Sequence, residues 1–321
     1  MTRYLSDAAI AEVLTLDALR PVIRESLIAQ YRGTVERPPR PHLPLGADLE
    51  GTAPLGTGLV MPAYIHGAAY FVTKLVGVFE ENPTRELPTV QATLIALDAR
   101  TGQLAGILAG TRITNARTAC VGSLAIDALV EGPITLGVLG AGTQARWQTR
   151  AIDGICEIDE VRVYAPSASK IACARDLTDH GIDARAVATP TEAVTGADVI
   201  VTATTSTEPV FPADALGDRA IVLAVGAYRP DMQELEAPVL NEATQVFADV
   251  PEEVAEIGDI AVSDLDQREL LALGGLLAGE IDIDRSGVIV VESVGSAVFD
   301  AAATEFVLDR AIEGDIGQQL D

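Results

Sequence analysis

A glycine-rich turn carries the clearest chemical signal in this sequence. An apolar run at 134–139 breaks into Gly140-x-Gly142-x-x-Ala145, and a helix-like stretch follows at once. In such a pattern Gly140 makes a tight turn, Gly142 lets the backbone approach an anion, and Ala145 allows close contact between helix and strand. The N–H groups that begin the helix favour a negative charge. The spacing therefore predicts a site for the pyrophosphate of a dinucleotide; a purely structural glycine turn is the alternative.

Lys74 is the second residue that stands out chemically. The chain has only two lysines, Lys74 and Lys170, and Lys74 lies within the apolar stretch 70–79. Burying a lysine is costly unless it is paired, so this position favours a functional cation over a structural one. A lysine can hold a carboxylate as a point charge and can also transfer a proton.

The elements around the glycine turn alternate between strands and helices. Apolar, β-branched runs predict strands at 134–139, 161–165, 184–188, 198–203, 220–225 and 245–249. Helices are predicted at 144–155, 168–180 and 190–196. Because the strands show little alternation between apolar and polar residues, they are typical of a parallel sheet covered on both faces. The fold class predicted is α/β, with a doubly wound (Rossmann) parallel sheet.

The first third of the chain has a different pattern and predicts a second α/β domain. Its predicted elements are helices at 6–14, 16–32 and 111–130 and strands at 58–65, 70–79, 89–97 and 103–108, with an irregular, proline-rich link at 38–44. A strand at 288–291 and a helix at 296–311 are predicted near the other end. We expect one domain to comprise 1–115 plus about 300–321, and the Rossmann domain to comprise 116–299.

Composition and charge exclude several classes of function. The net charge is −25, so nucleic acids and anionic membranes would be repelled at moderate salt. No apolar run is long enough for a membrane span and the start lacks a signal-peptide core, which predicts a cytoplasmic protein. The three cysteines and three histidines are scattered, so no metal site is predicted. Lysine depletion predicts adaptation to concentrated salt; an ordinary acidic protein from a GC-rich genome is the alternative.

Seven short blocks, in order, resemble the ornithine cyclodeaminase/mu-crystallin family. They are Pro39-Arg40, Met61-Pro-Ala-Tyr64, Lys74-Leu-Val76, Ala116-Arg-Thr-Ala119, Gly140-Ala-Gly-Thr-Gln144, Ala224–Ala227 with Arg229-Pro-Asp231 and Glu234-Leu235, and Glu292–Gly295 with Ala297 and Asp300. The resemblance implies a homodimer whose N-terminal α/β domain makes the dimer contact and whose Rossmann domain binds NAD(H) or NADP(H). It also implies a small amino or imino acid as substrate.

Three cations match the family's carboxylate-binding residues: Arg40, Lys74 and Arg117. Hydride exchange at a carbon that bears a nitrogen and a carboxylate needs that carboxylate held still, which supports the same assignment. Arginine can grip a carboxylate with two hydrogen bonds. Lys74, or a water near Asp231, would move the proton.

The predicted dinucleotide contacts follow the strand ends and the helix that precedes the glycine turn. They are Thr118, Gly140, Gly142, Thr143, Gln144, Ser167, Lys170, Thr204, Val225, Ser293 and Gly295. An acid at the end of the second strand would favour NAD over NADP. Segment 165–170 lacks one and offers two serines and a lysine, which favours NADP(H).

Two positions depart from the ornithine-cyclising members. Leu59 and Tyr228 stand where those members carry a glutamate and an aspartate, so a distal ammonium would lack its partner. The segment Gly226-Ala-Tyr-Arg-Pro-Asp231 looks more like the mu-crystallin and ketimine-reductase branch. We therefore predict an NAD(P)H-dependent oxidoreductase for the C–N bond of a small amino or imino acid, of ketimine or pyrroline-2-carboxylate reductase or alanine dehydrogenase type. A cyclodeaminase with internally recycled NAD and a non-catalytic ligand-binding protein are the alternatives.

Overall fold

The computed structural model describes residues 2–320 and divides the chain into two compact units. Unit 1 comprises Met1–Arg117 and Ser296–Asp321, and unit 2 comprises Thr118–Gly295. Within residues 2–320, no helix combines the length and the apolarity that crossing a membrane requires.

Strands and helices are interspersed through the described residues. The strands are β1 (Thr2–Leu5), β2 (Val35–Glu36), β3 (His42–Leu45), β4 (Gly56–Ile65), β5 (Tyr70–Val78), β6 (Val90–Asp98), β7 (Leu104–Ala109), β8 (Ile134–Leu139), β9 (Ile158–Tyr164), β10 (Ala184–Ala186), β11 (Val199–Thr202), β12 (Ile221–Ala224), β13 (Gln245–Ala248), β14 (Leu270–Ala272), β15 (Ile289–Glu292) and β16 (Gln318–Leu320). The helices are α1 (Asp7–Val13), α2 (Leu16–Tyr31), α3 (Gly110–Leu129), α4 (Thr143–Asp153), α5 (Ser169–Asp179), α6 (Pro190–Val194), α7 (Ala237–Asn241), α8 (Pro251–Val254), α9 (Gly258–Ala261), α10 (Leu273–Leu277) and α11 (Ala297–Glu313).

Unit 1 is built on a mostly antiparallel sheet with strand order β16-β1-β7-β6-β5-β4-β2, and β3 pairs with β4. Successive side chains of a strand point to opposite faces, and Val72 and Lys74 of β5 lie on the buried face. Helix α11 packs against β4, β5 and α2. Eleven of its seventeen residues are buried and nine of those are apolar, so this helix contributes a large part of the core of the unit.

Unit 2 has a fully parallel sheet with strand order β10-β9-β8-β11-β12-β15-β13-β14. The predicted α/β class and doubly wound sheet are confirmed. Chain order reverses at β8, with β9 on one side and β11 on the other. The strands β11, β12 and β15 are buried at every position, which explains why their sequences lack alternation.

The structure departs from the sequence prediction at short strands. The link at 38–44, predicted to be irregular, leads into β3, where His42 pairs with Leu59 of β4. The strands β1, β14 and β16 have only three or four residues each and had not been predicted. Such short segments carry too few residues for a periodic pattern, and pairing with a neighbouring strand decides their conformation.

Candidate active site

Lys74 is buried in the middle of the unit 1 sheet. Its neighbours across the strands are Met61 of β4 and Leu94 of β6. The side chain is 3% exposed, and its Nζ lies 2.5 Å from Oδ2 of Asp300. The sheet thus holds a cation in apolar surroundings, where an ion pair with α11 compensates part of the cost of burial.

Asp300 joins Lys74 to a second predicted cation. Arg117, on α3, donates a hydrogen bond from Nε to Oδ1 of Asp300 over 2.9 Å. The Asp300 and Arg117 side chains are 1% and 7% exposed. We call Lys74, Arg117 and Asp300 the charge cluster; it carries two positive charges and one negative charge. The net positive charge suits a single additional carboxylate.

Arg40 acts on the same cluster. The pairing of β3 with β4 starts at His42 opposite Leu59, two residues after Arg40, and Met61 of β4 is the cross-strand neighbour of Lys74. The positive charge of Arg40 lowers the pKa of Lys74. Asp300 thus joins two of the three predicted cations, and Arg40 acts on Lys74 through its charge.

The surroundings of Lys74 bring its pKa close to neutral pH. Burial lowers its pKa to about 8, Arg117 and Arg40 lower it too, and Asp300 opposes them. Burial would raise the pKa of Asp300, but Arg117 and Lys74 lower it below its ordinary value. Asp300 is thus ionised at neutral pH, and Lys74 can gain or lose a proton close to it.

Asp231 is placed differently from the cations. It belongs to unit 2 and its side chain is 68% exposed. Arg229 holds it through Nε at 2.9 Å and Nη2 at 3.3 Å. It is therefore not a member of the charge cluster, and its part in proton transfer stays a prediction.

The glycine turn has the geometry that a dinucleotide needs. Gly140 follows β8 with φ +113°, and a Cβ there would meet the carbonyl of Ala203 at the end of β11. Gly142, the residue before α4, has no heavy atom within 4 Å of the place a Cβ would occupy. The N-cap residue Gly142 makes no side-chain hydrogen bond to the first turn of α4, and the N-terminus of a helix favours an anion. Residues Gly140 to Gln144 thus fit a pyrophosphate.

Other predicted contacts of unit 2 stand at the carboxyl edge of its sheet. Thr204 lies two residues after β11, Val225 directly follows β12, and Ser293 and Gly295 follow β15. The Ser293 hydroxyl donates to Asp249 over 2.7 Å, and the Gly295 N–H donates to the same carboxylate over 2.8 Å. Ligands of doubly wound sheets bind at this edge.

The remaining predicted contacts lie on α3 and after β9. The carbonyl of Thr118 accepts a hydrogen bond from Gln148. The hydroxyls of Ser167 and Ser169 are 2.7 Å apart and exposed, and Lys170 lies over the ring of Tyr164. Two hydroxyls and an ammonium are therefore available beyond the second strand.

Sequence reasoning assigned no role to five buried acids. Asp300 is one, and Glu234, Asp249, Asp259 and Glu292 are the others. Asp300 and Glu292 each stand alone in an apolar run, which is the signal that identified Lys74. The same rule applied to acids would have selected both.

Comparison with known proteins identifies the family. The family model for ornithine cyclodeaminase/mu-crystallin matches residues 2–315. The chain belongs to this family. This confirms the resemblance seen in the seven sequence blocks.

Three proteins with different activities are similar to this chain. The Δ1-pyrroline-2-carboxylate reductase 1 of Burkholderia multivorans is 30% identical over 310 residues, 96% of each chain. The ketimine reductase mu-crystallin of Mus musculus is 34% identical over 259 residues, 79% of this chain and 80% of its own. A solved structure of an archaeal alanine dehydrogenase dimer with bound NAD is 26% identical to this chain and has a TM-score of 0.90. The similarity covers 100% of this chain and 99% of the solved one.

Proposed function

We propose that this protein reduces the C=N bond of a small cyclic imino acid that carries a carboxylate next to the imine, with NADPH or NADH as reductant. The broad class predicted from the sequence is confirmed by its relatives, two reductases of imino acids and an alanine dehydrogenase. The chain is an NAD(P)-dependent oxidoreductase for the C–N bond of a small amino or imino acid. The cyclic ketimine is the substrate that its own residues support best.

The charge cluster is the observation that carries this proposal. Arg117 uses Nε for Asp300, and its remaining N–H groups have the fork geometry that suits a second carboxylate. Arg40 adds positive charge to the same site. A substrate carboxylate bound here would be fixed in position, which is what transfer of a hydride to the adjacent carbon requires.

Lys74 supplies the proton in this proposal. With a pKa of about 8 it is mostly protonated at neutral pH and can give a proton to the imine nitrogen. When bound, the nicotinamide supplies the hydride. In the reverse direction the neutral Lys74 amine takes the proton from the substrate ammonium, so oxidation is favoured at higher pH.

The residues beside Lys74 favour a ring over a chain with a second charge. Leu59 and Met61 of β4 are 6% and 5% exposed, and Met61 is the cross-strand neighbour of Lys74. An apolar wall cannot compensate for a buried ammonium. Ornithine is therefore expected to be a poor substrate, whereas the ring carbons of a cyclic ketimine can pack against these side chains.

A substrate screen with matched arginine variants tests the proposal. NADPH or NADH oxidation is followed with Δ1-pyrroline-2-carboxylate and Δ1-piperideine-2-carboxylate. We expect Lys74→Met and Arg117→Gln to lower kcat/KM by about 100-fold or more, because each removes a desolvated charge from the carboxylate site. The control is Arg112→Gln, five residues earlier on α3, where Arg112 pairs with Asp7 and is one-third exposed. No turnover with either compound would refute the proposal.

The archaeal relative makes alanine oxidation the second candidate. Pyruvate with ammonia is therefore included in the screen. Turnover of ornithine to proline and ammonia without added reductant would instead identify a cyclodeaminase. Binding of an imino acid with no turnover of any compound would identify a non-catalytic protein.

For the cofactor we propose a preference for NADP(H). The solved relative holds NAD, so the preference rests on Ser167, Ser169 and Lys170, which offer donors and a positive charge to a 2′-phosphate. Replacing Ala165 by aspartate should reverse the preference, because the new acid would repel that phosphate. The ratio of kcat/KM values for NADPH and NADH measures it.

For the assembly we propose a homodimer made through unit 1. The sheet face opposite α11 carries Phe71 and Leu75, which are 36% and 42% exposed, and Ile95 and Ile107 continue the same face. An apolar sheet face of this kind is typical of an interface. Leu75→Glu should shift the mass measured by light scattering from dimer toward monomer.

We also propose that the protein is adapted to concentrated salt in the cytoplasm. Its 47 acidic residues against 22 basic ones repel one another, and salt screens that repulsion. The temperature of unfolding should rise between dilute buffer and molar KCl. A flat salt response would identify an ordinary acidic protein.

A further inference from the structure

Unit 2 contains four buried acids that the chemistry proposed above does not use: Glu234, Asp249, Asp259 and Glu292. None is more than 4% exposed. Burying a carboxylate is costly unless hydrogen bonds compensate for the water it loses. The groups that provide those hydrogen bonds therefore reveal what each acid holds in place.

Glu234 ties together the segments that follow two neighbouring strands. Its carboxylate accepts hydrogen bonds from the Thr204 N–H at 2.6 Å and hydroxyl at 2.7 Å, both in the segment after β11. It also accepts from the Gly226 N–H after β12 at 2.8 Å and from the Thr202 hydroxyl at 2.8 Å. One side chain thus provides the acceptors for two separate loops.

Asp259 holds Glu234 in turn. Its Oδ1 accepts from the backbone N–H groups of Glu234 at 2.7 Å and Leu235 at 2.8 Å. A second acid fixes the backbone from which the first extends, so the Glu234 carboxylate has little freedom to move. Such supporting hydrogen bonds are typical of residues that position a binding site.

The two loops lie where a doubly wound sheet binds its ligand. Strands β11 and β12 pair in register up to Thr202 and Ala224, so the loops after them start side by side. Strand β11 is also next to β8, where the strand order reverses, and a Cβ on Gly140 would meet the backbone at Ala203. The dinucleotide crevice of this fold is at that reversal.

We propose that Glu234 is a positioning residue for the dinucleotide, whose ionised carboxylate holds the Thr204 and Gly226 segments in the conformation that binds the cofactor. This inference rests on the proposed function, because it takes unit 2 to bind NAD(P)H. Glu234 itself touches loop backbone, and it acts on the cofactor through the loops it orders.

The charge state of Glu234 follows from its surroundings. Burial raises its pKa to about 7, against the hydrogen bonds from Thr204, Thr202 and Gly226 that lower it. Glu292 at the end of β15 faces it, and Asp259 and Asp249 also act on Glu292. A protonated carboxyl accepts hydrogen bonds less well, so dinucleotide binding should weaken as the pH falls below about 7.

Two neighbouring glutamates provide the test and its control. Glu234→Gln places an amide NH₂ against backbone donors, whereas Glu236→Gln makes the same change two residues away, where Glu236 accepts from Ala213 N–H at 2.9 Å. The dissociation constant of NADH is measured by fluorescence without substrate, and amide hydrogen exchange is measured at Thr204 and Gly226. NADH is used because the 2′-phosphate of NADPH itself titrates near neutral pH.

We expect Glu234→Gln to bind NADH about tenfold more weakly or worse, with faster exchange at both amides and no pH dependence around neutrality. Glu236→Gln should stay within about twofold of the wild type. Should Glu234→Gln fail to fold, Thr202→Val removes one donor and keeps the carboxylate. It should then move the loss of NADH binding to higher pH, since fewer hydrogen bonds favour the ionised form.

Equal NADH binding by wild type, Glu234→Gln and Thr202→Val at all pH values would overturn the inference. A wild-type protein that binds neither NADH nor NADPH would instead refute the proposed function. The two failures are therefore distinct.

Discussion

Both units bury acidic side chains, but they compensate for the burial in opposite ways. In unit 1, Asp300 pairs with Lys74 and Arg117, and its pKa is lowered. In unit 2, Glu292 is buried, and Asp259, Glu234 and Asp249 raise its pKa further. The first arrangement keeps its groups charged, which the proposed binding of a substrate carboxylate requires. In the second, Glu292 keeps a proton, and Glu234 accepts hydrogen bonds from the segments after β11 and β12. Burial of an acid therefore does not by itself indicate a catalytic role.

The largest expected effect comes from removing the shared carboxylate of the charge cluster. Asp300→Ala leaves two buried cations without their counter-charge, so the free energy of unfolding should fall by about 3–5 kcal/mol. The measurement is denaturant unfolding at neutral pH. Asp309→Ala, on the exposed side of the same helix, is the control and should change it by less than about 1 kcal/mol. Equal losses in both variants would mean that the cluster contributes no special stability.

In unit 2, replacing the buried acid Glu292 is expected to raise the free energy of unfolding, by less than the loss of Asp300 lowers it. Glu292 keeps a proton in the folded state after the unfolded chain has lost it, so the folded state loses stability as the pH rises above about 4.5. Glu292→Gln removes that titration and should raise the free energy of unfolding by about 1–2 kcal/mol at pH 8 and leave it nearly unchanged at pH 5. Denaturant unfolding at both pH values measures it. A loss of stability at pH 8 would contradict the contrast between the units.

The smallest expected effect is a shift in the pH dependence of kcat/KM when Arg40 is replaced. Ketimine reduction should decline above about pH 8 as Lys74 loses its proton. Arg40→Gln removes a positive charge that lowers the Lys74 pKa, so the decline should move upward by less than about one pH unit. The dependence of kcat/KM on pH measures this shift. A decline that moves downward, or that is the same in Lys74→Met, would assign the proton to another group.

The sequence predicted the elements that carry long, regular patterns. The glycine turn and the apolar strands around it are local signals, and the structure has them where the pattern indicated. The short strands β1, β14 and β16 depend on pairing with distant residues, which no local pattern records.

The candidate site could be predicted only in part. Lys74 and Arg117 were selected from their sequence context and the family resemblance, and the structure brings them together on Asp300. A lone acid in an apolar helix indicates burial but does not indicate its partner. The loop-holding role proposed for Glu234 likewise depends on four donors from two strand ends, which only the fold brings together.

The place of α11 in the chain has a consequence for biosynthesis. Lys74 and Arg117 precede unit 2, whereas Asp300 follows it. On the ribosome, a nascent chain can therefore complete the parallel sheet while Lys74 still lacks its counter-ion. Closing the first sheet over an unpaired ammonium would cost several kcal/mol. The sheet of unit 1 therefore gains the ion pair that stabilises Lys74 only after the whole of unit 2 has been synthesised.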